Sequence, residues 1–340
     1  MPPRWVRICP CDGWLVSSSP AVTNGRPSGL GLFLLWLLGL TAVRLLYGFL
    51  VVPPTLVLPL QLLSALVFVA GPIVALTQGT KPEWKTPAAA ILFLAGALVH
   101  ATCAALVMNF FKEGPMTIVL EAVGNAGLLT WCLGLGVLVG LLIKDKNMLL
   151  PVAFFLAGFD MFLVFNPEAP VARMIQQNPE IFQTVASDIP APVQSPEVAG
   201  QSVSVMAYVG PADFFFSAVF LFCLYRFGMR VRETMKWLVI SLTIYLILVL
   251  APFGLAALPA LVPIGLTVLI VNRKEFQLSK EEKQATWGAG LIALALAGYG
   301  LYRKITTPAF LPEPPAEPSI EEPLQEPAIS GETPPPAPPD

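Results

Sequence analysis

Charge is scarce in this chain: Asp, Glu, Lys and Arg make up 12% of 340 residues, against 55% hydrophobic residues. With a mean hydropathy of +0.71, that excludes a large soluble domain, which could not hide so much apolar surface, and points to an all-α polytopic membrane protein. Histidine is limited to His100, read as a helix-to-helix hydrogen-bond partner rather than a metal ligand. Of five cysteines, Cys103, Cys132 and Cys223 lie in apolar stretches as small packing residues. Cys9 and Cys11 offer only two ligands with no nearby histidine, short of a metal set. The first 29 residues carry Arg4, Arg7 and Arg26 without an apolar core of their own, so the first long helix is expected to stay as an anchor rather than be cleaved.

What is abundant is apolar sequence in lengths that match a bilayer, which takes roughly 20 residues per helical crossing. Nine spans are expected, near 30–52, 55–77, 87–111, 117–143, 148–166, 203–226, 237–257, 258–271 and 286–302. The seventh and eighth share one run from Trp237 to Val271, which Pro252, Pro259 and Pro263 must break. A cytoplasmic segment, 1–29, precedes the membrane domain, 30–302, and a tail, 303–340, follows it. From Ile305 onward the tail holds 12 prolines and seven acids with no basic residue, so it is expected to be extended and disordered.

Lys and Arg fix the expected orientation, since cytoplasmic loops hold their excess. With the N-terminus inside, 15 basic residues fall on the inner side and four, Lys112, Arg173, Arg303 and Lys304, on the outer. Loop 167–202 and the tail are then outside. The compact loops are compatible with a prokaryotic plasma membrane.

Against this background two acids stand out. Asp160, in 148–166, and Asp213, in 203–226, each interrupt a membrane-length apolar stretch, and an intramembrane carboxylate is a functional-site hypothesis by default. Asp160 lies 14 residues from Lys146, Asp213 lies 13 from Arg226, and Pro259 lies 14 from Arg273. At about 1.5 Å per residue all three sit roughly 20 Å above the inner boundary. Two carboxyls at one depth can share a proton, one serving as base toward water and the other as acid toward a peptide carbonyl. Gly210 and Pro211 should loosen the helix just before Asp213. The broken backbone from Leu258 to Pro263 could receive an extended substrate by strand addition.

Other polar residues in the spans, Arg44, His100, Asn109, Glu121 and Asn125, are candidates for an interior polar path, with Arg44 and Glu121 read as snorkelling or pairing with each other. Ala289, Ala293 and Ala297 form a small-residue face on the last helix suited to close packing.

The residues around the two acids also resemble a known family. Gly158-Phe159-Asp160-Met161-Phe162 resembles the Tyr-Asp helix of the presenilin and signal peptide peptidase family, with Phe159 where tyrosine is usual. Gly210-Pro211-Ala212-Asp213-Phe214 resembles its Gly-x-Gly-Asp-Phe motif, with Ala212 in place of glycine, and Ala257-Leu258-Pro259-Ala260-Leu261 resembles its Pro-Ala-Leu motif. The motifs occur in the family's order, and the likeness covers roughly residues 60–272, specific only in the three motif helices.

That resemblance implies a presenilin-like bundle of about nine helices, discontinuous near the site, acting as an intramembrane aspartyl endopeptidase. Asp160 and Asp213 would be the catalytic pair, with Gly210, Pro211, Ala212, Pro259, Ala260 and Leu261 shaping the substrate site and no metal or organic cofactor. Expected partners are single-span helical substrates or remnant signal peptides and the lipid bilayer, with no nucleic acid; partner subunits are left open. The outside placement of loop 167–202 matches the signal peptide peptidase arrangement. Paired membrane carboxylates also suit a proton- or ion-coupled transporter, and Ala212 leaves room for an inactive, helix-binding relative.

Overall fold

A computed structural model describes residues 29–192, 200, 204–250 and 259–307. The N-terminal segment with Cys9 and Cys11, the break at Pro252 and Leu258, and the tail beyond 307 lie outside the described residues.

Long apolar runs rich in Leu and Ala give α1 (Gly29–Phe49), α2 (Pro54–Gly79), α3 (Thr86–Asn109), α4 (Pro115–Leu142) and α5 (Leu149–Phe165). Two short helices, α6 (Pro170–Gln177) and α7 (Pro179–Val185), follow, then strands β1 (Ser187–Pro190) and β2 (Val205–Val209). Helices α8 (Pro211–Arg226), α9 (Val231–Leu250), α10 (Leu261–Val271) and α11 (Lys280–Thr306) complete the described chain. Proline at the first helical turn starts α2, α4 and α8, where its missing N–H is one that would go unpaired anyway. Ser279 and Glu282 cap each other's backbone at the start of α11.

Among the described residues, six helical stretches are long and apolar enough to cross a membrane: α1, α2, α3, α4, the run around α5, and α11. Their outer faces remain apolar, with Leu38 in α1 and Ile91, Leu94 and Leu98 in α3 exposed. An aqueous surface would not tolerate such patches, whereas lipid would. This is an all-α integral membrane protein apart from one small hairpin.

Backbone approaches set the helix order. In α3 and α4, a Cβ on Gly96 would lie 2.5 Å from the Trp131 nitrogen and one on Gly134 2.4 Å from the Phe93 nitrogen. Only glycine lets these antiparallel helices touch main chain to main chain. The same device joins α5 to α11, where a Cβ on Gly158 would meet the Ala293 backbone at 2.3 Å and Gly300 abuts Phe162. Those two helices run parallel, as do α4 and α8, where Gly136 meets Ala218 and Gly140 meets Phe222. At the other end of α5, the Asn147 amide donates to the Gln277 carbonyl at 3.0 Å and to Glu282 at 3.1 Å, tying the start of α5 to the start of α11.

The structure corrects the expected segments in three places. The stretch 203–226 is not one helix: Val205–Val209 is a strand paired antiparallel with β1, and the helix begins only at Pro211. Within loop 167–202 the described residues form α6, α7 and β1. The last helix runs from Lys280 to Thr306 rather than 286–302, so the tail's first four residues are helical. Arg303 there pairs with Glu168, and Lys304 lies 4.9 Å from the centre of the Phe165 ring. The ends of α5 and α11 therefore meet.

Candidate active site

Asp160 lies near the C-terminal end of α5, and its carboxylate oxygen Oδ2 accepts a hydrogen bond from the backbone N–H of Leu261 at 2.8 Å. Leu261 is the first residue of α10, whose initial N–H groups have no partner inside the helix. A helix N-terminus is thus aimed at Asp160, and its partial positive charge favours a carboxylate there. Gly265 in α10 packs against Ala153 in α5, which holds the two helices together one turn further along.

Asp213 reaches the same region from α8. It occupies the first turn of that helix, with Gly210 as N-cap, and its side chain accepts from the Gly210 N–H. The expectation of a kink inside a continuous helix is therefore replaced by a helix start: Pro211 cannot donate and Gly210 ends a strand, so the backbone turns here. Asp213 is not stranded in the middle of a hydrocarbon-facing rod but held by backbone donors. The two carboxyls lie within electrostatic reach of each other, and both residues are half-buried.

The motif residues gather around this pair. Gly210 and Pro211 flank Asp213, and the thiol of buried Cys132 in α4 donates to the Pro211 carbonyl at 3.4 Å. Ala212 is exposed on the turn. Pro259 and Leu261 are buried and Ala260 is half-buried, immediately before and at the start of α10. Leu261's N–H is already committed to Asp160, so it cannot also pair with a strand. Among the described residues a free strand edge lies elsewhere, on β2, which pairs with β1 on one side and leads into Gly210 and Asp213. Sequence patterning could not show this edge, because Val205–Val209 is as apolar as the helix that follows.

The other polar residues of the apolar helices divide differently from the sequence reading. Arg44 is only 2% exposed and pairs with Asp188 of β1, Nη1 to Oδ1 at 2.6 Å, with a further bond to the Asp188 carbonyl. It neither snorkels nor pairs with Glu121. The Asn125 amide donates to the same Asp188 oxygen at 3.1 Å. His100 Nδ1 lies 3.0 Å from the Gly124 carbonyl across the α3–α4 contact. Asn109 bonds only its own helix, at the Ala105 carbonyl, and belongs to no interior path. Asp188 was hidden from sequence reasoning because it lies in an acidic, proline-rich loop where an exposed carboxylate is the ordinary expectation.

No family model, no curated protein and no solved structure matches this chain.

Proposed function

We propose that this protein is an intramembrane aspartyl endopeptidase that hydrolyses peptide bonds in single-span helices with Asp160 and Asp213 as a shared acid–base pair. The observation that carries this reading is that the two carboxyls, from α5 and α8, lie within electrostatic reach of each other, with the first N–H of α10 bound to Asp160. An acid placed only for helix capping would serve Asp213 alone. It would not bring a second carboxylate from another helix within electrostatic reach.

Hydrolysis by such a pair needs one proton between two carboxyls. The ionised member takes a proton from water as the water oxygen bonds to the scissile carbonyl carbon, and the protonated member donates to the carbonyl oxygen. The resulting gem-diol collapses when a proton passes to the amide nitrogen and the C–N bond breaks, leaving a carboxyl and an amine. The pair ends with one proton, as it began. A substrate helix must unwind to expose its carbonyl, and the open edge of β2 supports capture of the unwound segment by strand addition just before Asp213.

The parallel pairs α5–α11 and α4–α8 agree with a nine-span arrangement in which each pair crosses in the same direction. With the basic-residue bias, this supports a cytoplasmic N-terminus, an outside hairpin loop and substrates whose own N-termini lie in the cytoplasm. The test is purified protein in lipid with a single-span substrate, the products identified by mass spectrometry. Cleavage should be lost in Asp160→Ala and in Asp213→Ala; unchanged cleavage in both would contradict the proposal. Proton-dependent flux in liposomes that needs both aspartates, with no cleavage, would favour the transporter reading instead.

A further inference from the structure

A cavity of about 400 Å³ opens between α3, α4, α7 and the β1–β2 hairpin, separate from the residues that surround the aspartate pair. Its lining is polar where a membrane protein's interior would ordinarily be filled with Leu and Val. Glu121, Asn125 and Asp188 border it together with His100, Lys112 and Tyr208.

The hydrogen-bond inventory shows what is missing. Asp188 is 8% exposed, and its Oδ1 is satisfied by Arg44 and Asn125, yet its Oδ2 is buried with no partner. Asn125 spends its NH₂ group on the Glu121 carbonyl and on Asp188, which leaves its own Oδ1 buried and unpartnered as well. A buried acceptor without a donor is costly, and the two residues that carry these oxygens border one cavity. His100 has its Nδ1 engaged by the Gly124 carbonyl.

Charge points the same way as hydrogen bonding. Arg44 already neutralises Asp188, whereas Glu121 has no ion pair among the described residues. Glu180 on the same wall likewise has no ion pair, and Lys112 is the one basic residue that borders the cavity, so the lining keeps a net negative charge and asks for a ligand that carries a positive charge and N–H groups. Metal binding is a poor match, since no cluster of three or more metal-ligating side chains occurs among the described residues. We infer that this cavity binds a cationic nitrogen group, an alkylguanidinium or alkylammonium, with Glu121 supplying the counter-charge. The group has two possible sources, a free small cation or an Arg or Lys side chain of a membrane-embedded polypeptide. The inference does not depend on proteolysis.

The experiment is calorimetry on the full-length protein in nanodiscs of uncharged lipid, titrated with n-butylguanidinium and with n-butylurea, its near-isosteric neutral counterpart. Butylguanidinium should bind saturably and at least about tenfold more tightly than butylurea, and Glu121→Gln should remove that preference. Ala104→Phe, which fills the cavity from α3 without replacing a charged group, should abolish binding and guards against a folding defect in the first variant. A second arm compares single-span peptides with one Arg or one Gln at the outer interfacial end. An Arg preference of about tenfold that vanishes in Glu121→Gln identifies a polypeptide side chain as the source, and butylguanidinium binding without it identifies a free cation. Equal affinity for butylguanidinium and butylurea, or a preference that survives both substitutions, would overturn the inference.

Discussion

Asp160 takes one hydrogen bond, from the Leu261 N–H, and Asp213 takes one from the Gly210 N–H. Each is held by backbone rather than by a neighbouring side chain, so replacing the carboxyl by an amide should keep the geometry and remove only the chemistry. Asp160→Asn can still accept from Leu261. Its thermal unfolding midpoint is expected to stay within a few degrees of the parent, corresponding to a change within about 1 kcal/mol, while cleavage disappears. A large drop in the midpoint would mean that the carboxylate is structural. At this scale the sequence was most informative: an aspartate in 148–166 and another in 203–226 are conspicuous because no other acid lies in either stretch. What it hid were Asp188 and Cys132, each unremarkable in its local sequence and significant only through residues more than 60 positions away.

Helices and strands are where sequence and structure part company, and the reasons are local. Hydropathy marks where a chain is apolar but not its period when nearly every residue is apolar, so Val205–Val209 read as the beginning of a helix when it is a strand. Pro211 was the available signal, since proline at a helix start is favourable and inside one is costly. The small-residue face of the last helix, by contrast, was legible, and Ala293 is the residue that meets Gly158. That contact leaves no room for a methyl group. Gly158→Ala is therefore expected to destabilise the protein by about 1–3 kcal/mol, read as a shift in a denaturant titration, whereas Gly288→Ala, with open space around it, should not. Similar shifts in both would mean that α5 and α11 do not pack this closely.

Across the whole molecule, one buried ion pair ties the hairpin to the bundle: Arg44 of α1 and Asp188 of β1 are 144 residues apart. Removing one partner leaves a charge buried without compensation, which costs about 3–5 kcal/mol, whereas replacing both by apolar residues of similar size is often near neutral. Arg44→Met and Asp188→Leu should each lower stability strongly, and the double variant should recover most of the loss; additive losses would contradict the pairing. Because β1 carries β2, and β2 leads directly into Asp213, the single variants should also reduce cleavage more than their residual folded fraction explains. Orientation can be checked at the same scale. A reporter fused after residue 185 should read as outside, and a cytoplasmic reading would reverse the topology and the class of substrate helices.

The central claim is that Asp160 and Asp213 act together on one scissile peptide bond. It is tested most directly by the affinity of a peptide isostere that carries a hydroxyl in place of the scissile carbonyl, measured on purified protein in lipid. Transition-state mimics bind about 100-fold or more tighter than ground-state ligands. The parent protein should therefore bind the hydroxyl isostere at least about 100-fold more tightly than the matching methylene compound, and Asp160→Asn and Asp213→Asn should each abolish that difference. A preference for the hydroxyl compound that persists when either aspartate is replaced would show that the two carboxyls do not work as a pair.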